Sequence, residues 1–288
     1  MSKIKEEEIK RILPSKGPTL EEVKKYLNKY NNEYIVIKCG GSVLVDQNLF
    51  NNFTNDISIL HKLGFIPIVI HGGGKRISNK LNEAGIKSDF INGLRVTNEK
   101  SISIVEEVLI NFNKEITESL KKNACDSQGI TSKENNILKV KQENEKLGFV
   151  GTPTEINLSI IERIVKEEKV PVIAPLGLDK NNQVYNINAD TVAGSIAKKL
   201  NARRLIIISD VEGVLDDNKK LISEINTNKV NKLIKDQTIS GGMIPKIKNC
   251  LDVASNGVKG VCIIDGRLNH SILFELLSSA GSGTLIRK

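Results

Sequence analysis

Two lysines and two glycine-rich turns are the residues of this chain best suited to chemistry. Lys38 closes the apolar run Tyr34–Lys38 and is followed by Cys39-Gly40-Gly41-Ser42. A glycine pair at the end of a strand lets backbone N–H groups approach an anion closely. Taken alone, the same residues equally describe a glycine turn beside a solvated lysine. A second turn, Val69-Ile70-His71-Gly72-Gly73-Gly74, leads into a helical pattern and forms another N–H cradle suited to carboxylate or phosphate. It is not a Walker A loop, because Val69 stands at the first glycine position and Arg76 follows Gly74-Lys75. Nor is it a dinucleotide fingerprint, because Ile77 occupies the third glycine position. His71 is expected to be a hydrogen-bonded structural histidine.

Two further segments complete the set. Asp190 follows Tyr185-Asn186-Ile187-Asn188-Ala189 at the start of a helical pattern, where it can cap the helix or hold two lysine heads in place. Both roles stay open. In the last third, Ser209-Asp210-Val211-Glu212-Gly213-Val214 follows a strand and resembles a turn that holds a base and ribose. Ser240-Gly241-Gly242-Met243-Ile244-Pro245-Lys246 then sets a glycine pair before a helix and Lys246 one turn inside it. No Ser-His-Asp set, nucleophilic cysteine or metal-ligand cluster accompanies these residues. Phosphoryl transfer is served by such equipment, since its transition state is chiefly a problem of positioning and fixed positive charge. A carboxylate acceptor is already a nucleophile at neutral pH, so no general base is needed.

These residues must be carried by strands and helices, and the pattern supplies both. Strands are expected at 34–38, 66–70, 170–174, 205–209 and 260–264. Helices are expected at about 19–31, 47–63, 75–84, 98–122, 154–168, 190–200, 227–236, 243–256 and 269–279. Continuous apolar strands alternating with amphipathic helices predict an α/β fold, a three-layer sandwich around a mostly parallel central sheet. The polar stretch 129–151 suggests hairpins at the rim. Within 288 residues, 39% of them hydrophobic, three parts are expected: a helical extension over 1–33, one lobe over 34–183 and a second over 184–288. Thr19 and Glu22 form a capping box for the helix of the extension, and Leu20, Val23, Tyr26, Leu27 and Tyr30 form its apolar stripe. That stripe must pack on its own subunit or on a neighbour.

Composition excludes several classes. No apolar run approaches the roughly 20 residues of a membrane span, and the start, with both charges, lacks the core of a secretion signal. A cytoplasmic location and no membrane partner are expected. Cys39, Cys125, Cys250 and Cys262 are far apart, which suggests buried thiols rather than a zinc or redox motif. The net charge is +8. Without arginine clusters or interleaved aromatics, it reads as a lysine-rich surface rather than a nucleic-acid footprint.

Seven motifs in order resemble those of the amino acid kinase family, in particular its N-acetyl-L-glutamate kinases. They are Lys38-x-Gly40-Gly41, His71 to Gly74, Asn92-Gly93-Leu94-Arg95-Val96-Thr97, Gly148-Phe149-Val150-Gly151, Asn186 to Asp190, Ser209 to Leu215 and Gly241 to Lys246. Each is weak alone, and the likeness spans about 34–286. It implies that Lys38 and Lys246 stabilise a transferring phosphoryl group, with Asp190 orienting both. It implies that Gly73 and Gly74, Arg95 and Asn186 bind N-acetyl-L-glutamate, Arg95 by its bidentate guanidinium. Gly40, Gly41, Ser209, Asp210, Val211, Gly213, Val214, Gly241, Gly242 and Met243 would line the phosphate and nucleotide side, with ATP arriving with Mg²⁺. The motifs at 92–95 and 186–190 favour an acylglutamate acceptor over carbamate, aspartate or a nucleoside monophosphate. Lys75 and Arg76 depart from the family's usual Pro-Gln and are open between altering substrate affinity and pointing to solvent.

The N-terminal extension and the C-terminal residues Asp265-Gly266-Arg267, His270, Glu275 and Gly281-Ser282-Gly283-Thr284 are similar to the arginine-sensitive branch. That resemblance implies a homo-oligomer, a dimer assembled through swapped N-terminal helices into a hexamer (a trimer of dimers). It also implies L-arginine as inhibitor near Tyr26, Glu275 and Gly281, and a PII-type signalling protein as a candidate partner. Cys262 replaces that branch's common histidine.

Overall fold

Runs of β-branched and aliphatic residues build the centre of the molecule. The computed structural model describes residues 4–241 and 243–288. Its strands are β1 (Tyr34–Cys39), β2 (Ile66–His71), β3 (Phe90–Ile91), β4 (Leu94–Arg95), β5 (Ser127–Ile130), β6 (Leu138–Gln142), β7 (Gly151–Ile156), β8 (Val170–Ile173), β9 (Leu176–Leu178), β10 (Val184–Asn186), β11 (Arg204–Ser209), β12 (Glu224–Ile225), β13 (Val261–Asp265) and β14 (Gly283–Ile286). The helices are α1 (Glu6–Ile12), α2 (Leu20–Tyr30), α3 (Gln47–Lys62), α4 (Gly74–Glu83), α5 (Glu99–Lys122), α6 (Ser132–Asn135), α7 (Leu158–Lys166), α8 (Ala189–Lys199), α9 (Thr227–Lys235), α10 (Met243–Ser255) and α11 (Ser271–Leu277).

Eight strands form one sheet in the order β12-β14-β13-β11-β1-β2-β8-β5. Every pairing is parallel except β13 with β14. Because side chains alternate across a pleated sheet, each central strand feeds two cores. Val36, Ile68, Ile70, Leu205, Ile207 and Ile263 point into one, with Ile161 of α7, Val192 and Ile196 of α8, and Val253 of α10. Ile35, Ile37, Val69, Ile206, Ile208 and Ile264 point into the other, with Phe53 of α3, Phe112 of α5 and Leu273 of α11. The expected three layers are present, and the sheet runs unbroken through both halves of the chain.

The extension packs on its own chain. Thr19 and Glu22 make the expected capping box. Val23 and Tyr30 are buried among the residues of the second core, and Tyr30 meets Phe65 with ring centroids 5.6 Å apart. Among the described residues no helix is long and apolar enough to cross a membrane. All four cysteines are buried thiols, and burial pushes Cys39 and Cys250 up to about 12.

Several short strands differ from the sequence expectation, and three segments show why. The helix expected from 154 starts only at Leu158, because Gly151–Ile156 is the strand β7. Its Thr-Pro-Thr run pairs antiparallel with β6, with a bulge between Lys139 and Val140. This is the rim hairpin, displaced towards the C-terminus. The edge strand β5, Ser-Gln-Gly-Ile, carries no strand pattern of its own and exists through its parallel pairing with Val170–Ile173 of β8. The strand β14 was likewise not expected. It joins the sheet antiparallel to β13, with β12 at the edge beyond it.

His71 at the end of β2 is fully buried and structural, as expected. Nδ1 donates to Gly72 O at 3.0 Å, which leaves Nε2 to accept from Asn113 Nδ2 at 3.2 Å. The other Asn113 amide hydrogen goes to Val172 O at 2.9 Å, tying α5 to β2 and β8. A ring bonded in this way is neutral, and burial lowers its pKa to about 4. Protonation therefore favours the unfolded chain: this contribution to stability is complete above pH 6.5 and is lost as pH falls from 6.5 towards 4. Urea melts at pH 7.5 and 5 should show the parent losing about 1–3 kcal/mol more than His71→Gln. Equal losses in the two proteins would contradict this reading of the ring.

Candidate active site

β1 lies at the middle of the sheet, with β2 on one side and β11 on the other. The chain winds first towards β5 and later returns towards β14, so β1 marks the switch point of a doubly wound sheet. A crevice opens there beyond the carboxyl ends of the strands. Lys38 is in register with Ile70 of β2 and Ile207 of β11. The glycine turns after β1 and β2 and the turn after β11 consequently face one another.

A cavity of about 730 Å³ occupies this crevice, lined by Lys38, Gly40, Gly41, Gly72 to Lys75, Phe90, Arg95, Asn186 and Asp190, among others. Lys38 Nζ lies 2.9 Å from Asp190 Oδ1, with side chains only 13% and 22% exposed. At this distance the contact is a charge-assisted one, and it lowers the Asp190 pKa both through charge and through hydrogen bonding. A Cβ at Gly40 would overlap the Lys38 ammonium and push it from its place beside Asp190. From the other side, Lys246 on the first turn of α10 donates to Ser209 Oγ at 3.0 Å.

Electrostatics tie the three groups into one cluster. Burial would raise the Asp190 pKa, but Lys38 and then Lys246 outweigh it and hold the carboxyl below the usual range. Burial lowers Lys246, Asp190 partly restores it, and Lys38 lowers it further. Two cations and one anion leave a net charge of +1 in a poorly hydrated place. An entering phosphoryl group would balance it. The helix cap of α8 is Asn188, whose side chain accepts from Thr191 N at 3.1 Å. Capping therefore does not occupy Asp190, and its carboxylate is left to the lysines.

The N–H cradle at Gly73 and Gly74 forms the start of α4. A Cβ at Gly73 would overlap Leu109, whereas Gly74 faces open space. Arg95 is 7% exposed. Its guanidinium is held at the cavity wall by Gly74 O at 2.9 Å, Ser78 Oγ at 2.9 Å and Ser88 Oγ at 2.5 Å. It also stacks 4.7 Å from Phe90. Asn92 and Gly93, both at positive φ, form the two-residue turn of the β3–β4 hairpin that presents Phe90 and Arg95. Asn186 Nδ2 donates to Thr97 Oγ1 at 3.2 Å. Thr97 is anchored in turn by Phe149 N, 2.7 Å from Thr97 O. Gly148, at φ +68°, has no room for a Cβ against that carbonyl. The Gly148 to Gly151 motif thus acts as scaffold for Thr97 and Asn186.

Beyond Lys246, the turn after β11 is built by Gly213 at φ +143° and by Val214 N, which donates to Thr284 Oγ1 at 2.8 Å. Asp210 lies against Gly41, Val211 is 38% exposed, and Gly241 at φ +54° precedes Met243 at the start of α10. Gly242 lies outside the described residues. Tyr26, Glu275 and Gly281 do not line the cavity. Glu275 Oε2 accepts from Ser282 N at 2.8 Å beside Gly281, and Tyr26 sits on α2 among the half-buried residues of the second core.

The pattern of residues did not single out Ser78, Ser88 and Leu109, and Thr97 entered only as the end of the motif at 92–97. Small polar or aliphatic side chains carry no signal until the fold brings them to a ligand wall. The Asn-Gly turn at 92–93 was the one available hairpin signal. Arg76 and Lys75, left open above, separate here. Arg76 clasps Glu115 of α5 at 2.7 and 2.8 Å and lies 4.1 Å from the Phe112 ring, whereas Lys75 lines the cavity.

The model of the amino acid kinase family matches residues 33–265. An acetylglutamate kinase of Pelagibacter ubique is 68% identical over 288 residues, covering the whole of both chains. Among solved structures, the N-acetylglutamate synthase of Neisseria gonorrhoeae in complex with coenzyme A and N-acetyl-glutamate superposes with a TM-score of 0.84 at 20% identity. That match covers 93% of this chain but 62% of the synthase. The carbamate kinase of Giardia lamblia bound to AMP-PNP follows with a TM-score of 0.67 at 17% identity, covering 89% of this chain and 99% of the kinase. At these identities the two structures speak for the fold.

The cap at Asn188 gives a local test. Asn188→Ala should lower stability by about 1 kcal/mol in thermal melts. An unchanged melt would mean that another group caps α8.

Proposed function

The chain belongs to the amino acid kinase family, and from that membership and the cleft geometry we propose that it phosphorylates the side-chain carboxylate of N-acetyl-L-glutamate with ATP. The product is an acyl phosphate, an early intermediate of arginine biosynthesis, and ADP. One observation carries the reading: Asp190 holds Lys38 at 2.9 Å and is held below the usual carboxylate range by Lys38 and Lys246 together. Two ammonium groups therefore meet between an N–H cradle on one side and the β11 turn on the other.

The acceptor's α-carboxylate lies on Arg95, whose guanidinium is pre-positioned by three hydrogen bonds. Its amide group lies near Asn186, and its side-chain carboxylate against the Gly73 and Gly74 N–H groups. ATP, supplied with Mg²⁺, places its phosphates over Gly40 and Gly41 and its nucleoside near Ser209 to Val214 and the Gly241–Met243 turn. The attacking carboxylate oxygen forms a new P–O bond as the bond to the bridging oxygen of ADP breaks. Negative charge spreads over the transferring group and the leaving oxygen, where Lys38 and Lys246 face it. Asp190 keeps both ammonium groups in place without taking a proton.

Arginine inhibition and assembly into a hexamer through the N-terminal helix belong to the same reading. Supporting it, the Glu275 carboxylate lies beside Gly281 and can pair with a guanidinium or ammonium group. Glu275→Gln should then raise the arginine concentration for half-inhibition about tenfold or more. Unchanged inhibition would remove Glu275 from the site.

The reaction is tested by trapping acyl phosphate with hydroxylamine from N-acetyl-L-glutamate and ATP, against carbamate, aspartate and nucleoside monophosphates as acceptors. Product from N-acetyl-L-glutamate alone is expected. Lys246→Ala should cut kcat by about 10²–10³-fold while remaining folded. Near-normal turnover in that variant would remove Lys246 from catalysis.

A further inference from the structure

Lys75 lies inside the cleft, at the second position of α4. Its ammonium lies 3.4 Å from Asp210 Oδ2, with side chains 52% and 40% exposed. Asp210 in turn lies in the turn after β11, and its carboxylate rests so closely on Gly41 that a Cβ there would overlap it. The pair therefore spans the mouth of the cleft. It joins the helix of the acceptor cradle to the nucleotide turn, directly over the first glycine turn.

We propose that Lys75 is a further donor-binding residue: parked on Asp210 in the free protein, it turns onto the polyphosphate of the entering nucleotide. The inference rests on the phosphotransfer reading above and assigns a role to a residue which that reading leaves idle. Three features support it. The ion pair is half exposed, and such pairs are held by about 0–1 kcal/mol, so a stronger anion displaces it readily. Lys38, by contrast, is largely buried against Asp190 and has no such freedom. Phosphates laid over Gly41 come close to the Asp210 carboxylate. Like-charge repulsion then weakens the hold of Asp210 on Lys75 as the competing acceptor arrives. Finally, the neighbouring Arg76 is committed to Glu115 and Phe112 and cannot take the same part.

A residue that contacts the donor affects the two substrates unequally. Lys75→Met should raise the KM for ATP about three- to tenfold, leave the KM for N-acetyl-L-glutamate within about twofold, and leave the melting curve unchanged. Lys75→Arg, which keeps the charge, should restore most of the loss. A KM for ATP less than threefold above the parent's would overturn the proposal. So would equal rises for both substrates, a rise confined to the acceptor, or a failure of the arginine variant to recover. The parent is assayed first: absence of any acyl phosphate there would defeat the phosphotransfer reading, whereas an active parent with an indifferent Lys75→Met defeats only this inference.

Discussion

Two ammonium groups can share one dehydrated pocket only if a carboxylate lies between them. Asp190 meets that need, and much of the local structure serves to put it there. Its pKa stays below the ordinary range although burial works against it, because Lys38 and Lys246 both act on it. Removing Asp190 would leave two buried ammonium groups uncompensated, which is far more damaging than the net worth of the set when intact. The set is thus constrained as a unit, and its residual charge of +1 suits a phosphoryl group in transit.

The sheet solves the remaining problem of convergence. Lys38, Asp190 and Lys246 come from β1, α8 and α10, which are far apart in the chain. They meet because β1 lies beside both β2 and β11, so three strand ends with their glycine turns and helix starts open on one crevice. Asn188 takes over the capping of α8, which releases Asp190. Ser209, the last residue of β11, accepts the Lys246 ammonium and so sets the position of α10 against the sheet. On the wall of the cleft that carries Asn186, Thr97, Phe149 and Gly148 make an inner scaffold.

Around this rigid centre the cleft mouth is lightly built. Phe90 is 55% exposed on a hairpin of two-residue strands, and the Lys75–Asp210 contact is half in solvent. Weak, exposed interactions at an entrance are easily exchanged for contacts to a ligand. Arg76 shows the opposite behaviour one residue away: a bidentate carboxylate partner and an aromatic face commit it to holding α4 on α5.

The fold class and the central strands were legible in the chain, and the resemblance named the charged residues. Apolar strands alternating with amphipathic helices admit few arrangements besides a doubly covered parallel sheet, and the seven motifs in order, rather than any one glycine turn or lysine, pointed to the charged residues. Short edge elements were not legible. β5 has a polar, nondescript sequence and is a strand only because β8 offers it a ladder, while the Thr-Pro-Thr of β7 was masked by the helical pattern that follows. Tertiary structure alone decided whether Asp190 caps its helix or serves the lysines, and which of the adjacent cations Lys75 and Arg76 faces the cleft. Those choices depend on which groups lie within a few ångströms across the fold, and no local pattern in the chain encodes that distance.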